Sequence, residues 1–470
     1  MELPLVAPAP IVAEHAHAFA DLFDNKRQFL NFQHYLTGLI VLPNTSMSNI
    51  ARCILDCSDK TNLSRFLATA PWVESAVNDR RITYLLQQTK PHRATRGASA
   101  LVIDDTLAEH TGSLFDHIAR HYDHGDGTYP LAHNPVTSFY VSGPVRFPIE
   151  LRLYRRYDEL TQWESVVAKR FPDLVIPTTA KERTKLRTKL EPQLLADPDF
   201  RALHKQFRTK IDLAIDLVQS AIAKKIPFGV VLFDSWYLAE PLIRELTRRH
   251  KDWISVLKAN RNIETNSFML RDASGAPIRL PTPHVKISDL LPLIPPSAYR
   301  AVQVGDETFW CFTLVVRIPG LGKVRIVISH EREDLSGRSA VLITNRVDWT
   351  AKQIIERYLK RWPTETFYQD CKEQLGFDRY QMRSAAAIGK QWCLVFVAYS
   401  LLHLSCLPPV PRKKARLIQT IGAACRQQGR AMIQQLILLV HRELSQGAPA
   451  DAVFERIFAK QQPPLAGSPG

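Results

Sequence analysis

The sequence predicts an α/β fold: a buried sheet at the centre with helical regions at both ends, the C-terminal one basic. Three observations lead there. Two short apolar runs, "ASALVIDDT" (residues 98–106) and "FGVVLFDSWYL" (residues 228–238), each end in acids, the pattern of a buried strand whose C-terminal end opens on a site. The second run is followed by a helical stretch, "AEPLIRELTRRH", and by another apolar run, "WISVLKANR". Strand, helix, strand in that order predicts a parallel crossover.

Residues 1–95 read as helical and polar. Within them, "SMSNIARCILDCSDKTNLSRFLATAPW" reads as two short helices across a tight turn, with Ser48 capping the first and Thr61 the second. That arrangement matches a helix-turn-helix and equally an ordinary helical pair. Residues 96–261 and 341–400 carry the sheet and its helices. "VTSFYVSG" and "PIELRLYRR" are further strands, joined by a turn at Gly143-Pro144. From Arg155 to Lys225 the chain is basic and helical, most densely in "KERTKLRTKL". Residues 262–340 change to short alternating strands such as "ETFWCFTLVVR" and "KVRIVISHE", a β-rich insertion, before "AVLITNR" restores an apolar strand. "LPPVPRKKAR" marks the start of a basic helical C-terminal region, 401–470, ending in a disordered "QQPPLAGSPG".

Composition narrows the function. The 470 residues carry a formal net charge of +15, which favours a polyanionic partner, nucleic acid first. No run of 18 apolar residues marks a membrane span, and the N-terminus lacks the basic and apolar blocks of a signal peptide. Seven scattered cysteines, with no second pair to complete Cys53 and Cys57, predict reduced thiols in the cytosol. The stretch "DHIARHYDHGDGTYPLAHN" offers His117, His121, His124 and His133 for zinc, but without a HExxH form it reads better as a solvated or DNA-facing loop.

The chemistry concentrates in "IIERYLKRWPTETFYQDCKEQLGF", where an amphipathic helix usually buries apolar residues. Tyr358, Arg361, Glu365 and Lys372 fall within about 60° of one another on an ideal helix. Thr350 and Gln353 form a capping box that starts the helix near residue 351. Pro363 then falls inside it, predicting a kink or break at Trp362-Pro363. Asp104 (or its neighbour Asp105) and Asp234 close their strands, and three carboxylates converging at strand ends make an oxygen-rich site suited to magnesium or manganese. Each residue also has an ordinary reading: a helix cap for Asp104-Asp105 and for Asp234, an i,i+4 ion pair for Arg361 and Glu365. Trp236, Trp310 and Trp362 read as core, with Trp310 alternatively stacking an unpaired base.

The order Asp104, Asp234, Glu365, with Tyr358-xx-Arg361-xxx-Glu365-xxxxxx-Lys372, resembles the bacterial insertion-sequence transposases of the DDE superfamily. Within it, the helix motif resembles the cut-and-paste group marked by Tyr-Arg-Glu-Lys. "IDDT", "FDSWY", "TNR" and "KEQLGFDRYQMRS" fit the same pattern. The resemblance implies a ribonuclease H-like catalytic core, interrupted by the β-rich insertion between Asp234 and Glu365. It implies two Mg2+ or Mn2+ ions on Asp104, Asp234 and Glu365, with Asp104 preferred to Asp105 and Thr106 as the third position of an Asp-x-Thr motif. Tyr358, Arg361 and Lys372 would then grip DNA phosphates. The implied partners are double-stranded DNA, as inverted element ends and target, and a homodimer or higher synaptic assembly on the bacterial nucleoid. The rival readings are a catalytically silent DNA-binding descendant of such an enzyme and a host nuclease on the same core.

Overall fold

The structure, a computed structural model, describes residues 3–57, 60–123, 125–156, 163–409 and 420–459. His124 and the tail "QQPPLAGSPG" lie outside the described residues, and so does most of "LPPVPRKKAR".

At the centre is a strand whose apolar residues are all buried. β1 (Ala100–Asp105) buries its first four residues and sits between two neighbours. On one side it runs antiparallel to β4 (Leu131–Ser142), beyond which lies β5 (Val145–Tyr154). Short β2 (Ala108–Glu109) and β3 (Ala119–Arg120) also pair with β4. On the other side β1 is parallel to β6 (Val230–Phe233), which is parallel to β7 (Asp252–Val256). The crossover from β6 to β7 is therefore the one expected, and both strands read as apolar runs because both faces are covered.

The strands foreseen at 262–340 are present, but most of them do not form a separate body. Only β8 (Asn262–Glu264) and β9 (His284–Lys286) pair with each other alone. β10 (Arg300–Val304), β11 (Glu307–Ile318) and β12 (Gly322–His330) form a meander that joins β7 through β13 (Ser339–Thr344). The two-residue turn at Gly305, with φ +59°, sets the β10–β11 hairpin. The order β10-β11-β12-β13-β7-β6-β1-β4 thus makes one large sheet of the region that local sequence marked as an insertion.

Helices cover both faces. The N-terminal region supplies α1 (Pro10–His15), α2 (Lys26–Val41), α3 (Met47–Cys53), α4 (Lys60–Ala68) and α5 (Glu74–Gln88). The cap of α3 is Ser46, whose hydroxyl accepts from the Asn49 N–H, and not Ser48. Thr61 lies inside the first turn of α4. The basic stretch forms α6 (Trp163–Arg170), α7 (Ala180–Leu194), α8 (Pro198–His204) and α9 (Lys210–Ala223); α10 (Glu240–Arg248) makes the crossover. After short α11 (Ile287–Leu290) come α12 (Ala351–Tyr358), α13 (Trp362–Leu375), α14 (Ala385–Cys406), α15 (Ile421–Ser445) and α16 (Ala450–Phe458).

Alternation along the strands sorts the core into two layers. Ala100 and Val102 of β1, and Val230 and Leu232 of β6, face a cluster shared with α2, α13 and α14. Leu101 and Ile103, with Val231 and Phe233, face a second cluster built on α9 and α10. Helix α14 is long and apolar enough to cross a membrane by length and composition, but most of it is buried in the first layer. Arg81 of α5, with no exposed surface, donates to the Pro148 and Ile149 carbonyls of β5 and to the Ser400 hydroxyl of α14, tying the N-terminal helices to the sheet.

Candidate active site

The last paired position between β1 and β6 is Ile103 opposite Phe233, so Asp104 and Asp234 follow on adjacent strand ends. Adjacent strands lie about 4.8 Å apart. Strand alternation places Asp104 on the face of Val102, and Asp234 continues the face of Leu232; this is the layer of α13. Asp105 continues the opposite face, toward α9. No helix follows β1, so neither acid of the pair is a helix cap: Asp104 Oδ1 accepts the Asp105 N–H, at 3.0 Å. Asp234 Oδ1 does accept from the Trp236 and Tyr237 N–H groups, at 2.9 and 3.3 Å, and so fixes the turn after β6.

The third acid arrives on the broken helix. The Thr350–Gln353 capping box starts α12, residues 359–361 form a 3-10 turn, and α13 restarts at Trp362 with Pro363 in its first turn. A proline is well tolerated there because its missing N–H had no helical partner. Tyr368 anchors α13 over the sheet, its hydroxyl 2.5 Å from Thr137 Oγ1, while the Phe367 ring lies 4.9 Å from that of Phe139. Glu365 thereby reaches Arg361, which bonds it and also donates to Asp104 Oδ2 at 2.7 Å. Tyr358, half-buried, stands beside the same guanidinium, and burial pushes its hydroxyl up to about 12. Lys372 lines the adjoining cleft with Asp104, Asp105, Thr106 and Asp234. Tyr358 and Arg361 therefore stand by the acids, and Lys372 lines the cleft beside the two aspartates, in spite of the break.

Charge is crowded here. Burial raises the Asp104 carboxyl to about 7; Arg361 opposes the shift, while Asp105 and Asp234 add to it. Burial also raises Asp234, partly offset by the two N–H donors. Among the described residues no three His, Cys, Asp or Glu side chains stand together as a ready ligand set; Arg361 bridges Asp104 and Glu365 instead. The donor chemistry still fits a hard divalent cation. The acids offer only oxygen, and their desolvated negative charge favours a cation beside them.

Several expectations need correction. Trp236 is 43% exposed and Trp362 66%, so neither is core. Trp310 lies on β11, four strands from β6, or about 19 Å across the sheet, and does not line the cleft. His121 and His133 are buried rather than solvated; His133 lies on β4, its ring nitrogens 2.7 Å from the Tyr380 hydroxyl and 2.9 Å from the Asp116 carbonyl.

Sequence reasoning missed Lys210 and Tyr237. Lys210 Nζ is 2.7 Å from Asp105 Oδ2, and the Tyr237 hydroxyl donates to Asp105 Oδ1 at 2.6 Å. Tyr237 was visible only as part of "FDSWY". Lys210 was hidden in a basic run, and only the Thr209–Asp212 capping box marked its place at the start of a helix.

Comparison with known proteins places the chain among transposase-type sequences. The profile of a DDE superfamily endonuclease family matches residues 18–278, and that of a transposase DDE domain matches residues 203–401. A probable transposase for insertion sequence element IS701 from Microchaete diplosiphon is 22% identical over 264 residues, which are 56% of this chain. The match spans 57% of that relative's length.

Proposed function

Because the chain belongs to the DDE superfamily of endonucleases, we propose that it is an insertion-sequence transposase that cuts DNA at its element's ends and joins them to a target. The observation that carries this reading is the gathering of Asp104, Asp234 and Glu365, from two strand ends and a helix, around Arg361 beside one polar cleft. The order β5-β4-β1-β6-β7, antiparallel on one side of β1 and parallel on the other, supports a ribonuclease H-like core.

Asp104, Asp234 and Glu365 would hold magnesium or manganese, as two ions. Such ions, when bound, lower the pKa of a water and stabilise the leaving oxygen of a phosphodiester. Asp104 is preferred to Asp105 because it shares its face with Asp234 and shares Arg361 with Glu365, whereas Asp105 is engaged by Lys210 and Tyr237. Arg361 has the forked donor geometry that suits a phosphate. Tyr358, kept protonated by burial, can donate to a phosphate oxygen, and Lys372 adds a point charge. The partners in this reading are the inverted ends, target DNA and further copies of the chain in a dimer or larger synaptic assembly, on the nucleoid in the cytoplasm. The N-terminal helices would take much of the end recognition.

The test is cleavage of a labelled inverted-end duplex in magnesium or manganese, comparing wild type with Asp234→Ala and Glu365→Ala. Metal-dependent nicking at the element boundary, lost in both variants, supports the assignment. Binding without nicking in either metal would replace it with a silent DNA-binding protein. Nicking without strand transfer would favour a host nuclease.

A further inference from the structure

The basic stretch between β5 and α9 folds around a core of its own. Trp163, Val167, Leu190, Leu194 and Phe200, from α6, α7 and the start of α8, bury one another in a cluster separate from the two layers that flank the sheet. The basic residues of this unit divide into two kinds. The arginines are engaged: Arg170 pairs with Asp197, Arg183 pairs with Glu164, and the Arg187 guanidinium lies 5.3 Å from the Trp163 ring centre. The lysines of α7 are not. Lys181, Lys185 and Lys189 are all exposed, and among the described residues none of them is in an ion pair.

Spacing makes these lysines one surface. Recurring every fourth residue, they fall within about 80° of one another on the helix and span about 12 Å along it. Leu186, Leu190 and Leu194, at the same spacing, hold the other side of α7 in the unit's core. Thr184 and Thr188 are exposed alongside the lysines. The acid beside the stripe, Glu182, is taken up by the helix cap, 2.5 Å from the Thr179 hydroxyl. Like charges four residues apart destabilise a helix, so the row carries a cost that a polyanion relieves. Over about 12 Å a DNA duplex presents about seven phosphate charges, counting both strands. Lysine meets a phosphate as a point charge. The face has no Arg, Asn or Gln, and contacts to the backbone position a duplex without reading it. Such a face suits DNA of no fixed sequence.

From these observations we infer that the Lys181–Lys185–Lys189 face of α7 binds the phosphate backbone of the target duplex. This rests on the reading proposed above and adds to it a surface, outside the cleft of the acids, for the second DNA.

The experiment uses the full chain loaded with unlabelled element-end duplex, in EDTA so that no strand is cut. Binding of a labelled duplex of mixed sequence, the probe for target, is followed by anisotropy between about 50 and 200 mM salt. The same titration with labelled element end on the unloaded chain is the second arm. Changing all three lysines to glutamine should flatten the salt dependence of the mixed-sequence duplex by about 2.7 in the log–log slope, and Lys185→Gln alone by about 0.9. The triple change to arginine should keep the wild-type slope, and binding of the element end should change far less. Arg271, Arg279 and Arg300, exposed elsewhere on the chain, give a control of equal charge when changed to glutamine. An unchanged slope in the lysine variant, or an equal loss in the control, would overturn the inference and leave the proposed function standing. So would a loss on the element end as large as on the mixed duplex, or a loaded wild type that takes no second DNA. Failure of wild type to bind either DNA would overturn both.

Discussion

The guanidinium of Arg361 lies 2.7 Å from the Asp104 carboxylate, joining two residues 257 positions apart in the chain. Both side chains are largely buried, at 20% and 15% exposure, so water screens the pair only weakly. Arg361→Met should therefore cost about 1–3 kcal/mol, since it leaves the buried Asp104 oxygen without its donor. Asp104→Asn in the same background should recover much of that loss, and a double-mutant cycle by urea unfolding measures the coupling. Additive losses would show that the pair contributes little.

Acid should destabilise the fold through buried histidines. His403 is held neutral: its Nε2 accepts the Arg146 N–H at 2.9 Å, and burial lowers its pKa to about 3. With a depressed folded pKa, the unfolded chain binds the proton first. The stabilisation is complete above the ordinary value near 6.5 and is lost as pH falls from there toward 3. At pH 5 the loss from His403 alone is about 2 kcal/mol. His110 and His121, both lowered to about 4 mainly by burial, act in the same direction. Urea unfolding at pH 7.5 and 5 should show a smaller difference in His403→Gln than in wild type.

What the sequence made legible was local. The apolar runs ending at Asp104 and Asp234 marked buried strands, and the Thr350–Gln353 box and Pro363 located the start and the break of the helix. Each of these signals lies within a few residues of what it determines. The pairing of β13 with β7 depends on chain segments far apart, so the meander at 300–330 read as an insertion although it extends the main sheet. Lys210 was missed for the same reason, because its partner Asp105 lies 105 residues earlier. The exposed faces of Trp236 and Trp362 escaped a rule that assigns tryptophan to the core.

The break at Pro363 should matter to chemistry more than to stability. It accompanies the 3-10 turn at residues 359–361 between α12 and α13, with Tyr358 and Glu365 both beside Arg361. Pro363→Ala would allow one continuous helix and shift Glu365 relative to the two aspartates. The expected result is a melting temperature close to wild type and cleavage slower by roughly tenfold or more. Unchanged cleavage would show that the 3-10 turn is set elsewhere.

Gly376 should be the least replaceable residue at the end of the catalytic helix. It terminates α13 in the left-handed region, with φ 66°. A Cβ there would stand 2.1 Å from Thr45 Oγ1 and 3.0 Å from its Cβ, in the loop between α2 and α3. Gly376→Ala thus combines a positive φ, unfavourable to alanine, with a collision against the N-terminal region. The sum should be about 2–4 kcal/mol, read as a lower urea midpoint at unchanged slope. Adding Thr45→Ala removes the hydroxyl from the collision and should restore part of the midpoint, leaving the backbone strain. If the second substitution restores nothing, the cost lies wholly in the left-handed turn; if it restores everything, the turn accepts alanine and only the contact with Thr45 requires glycine.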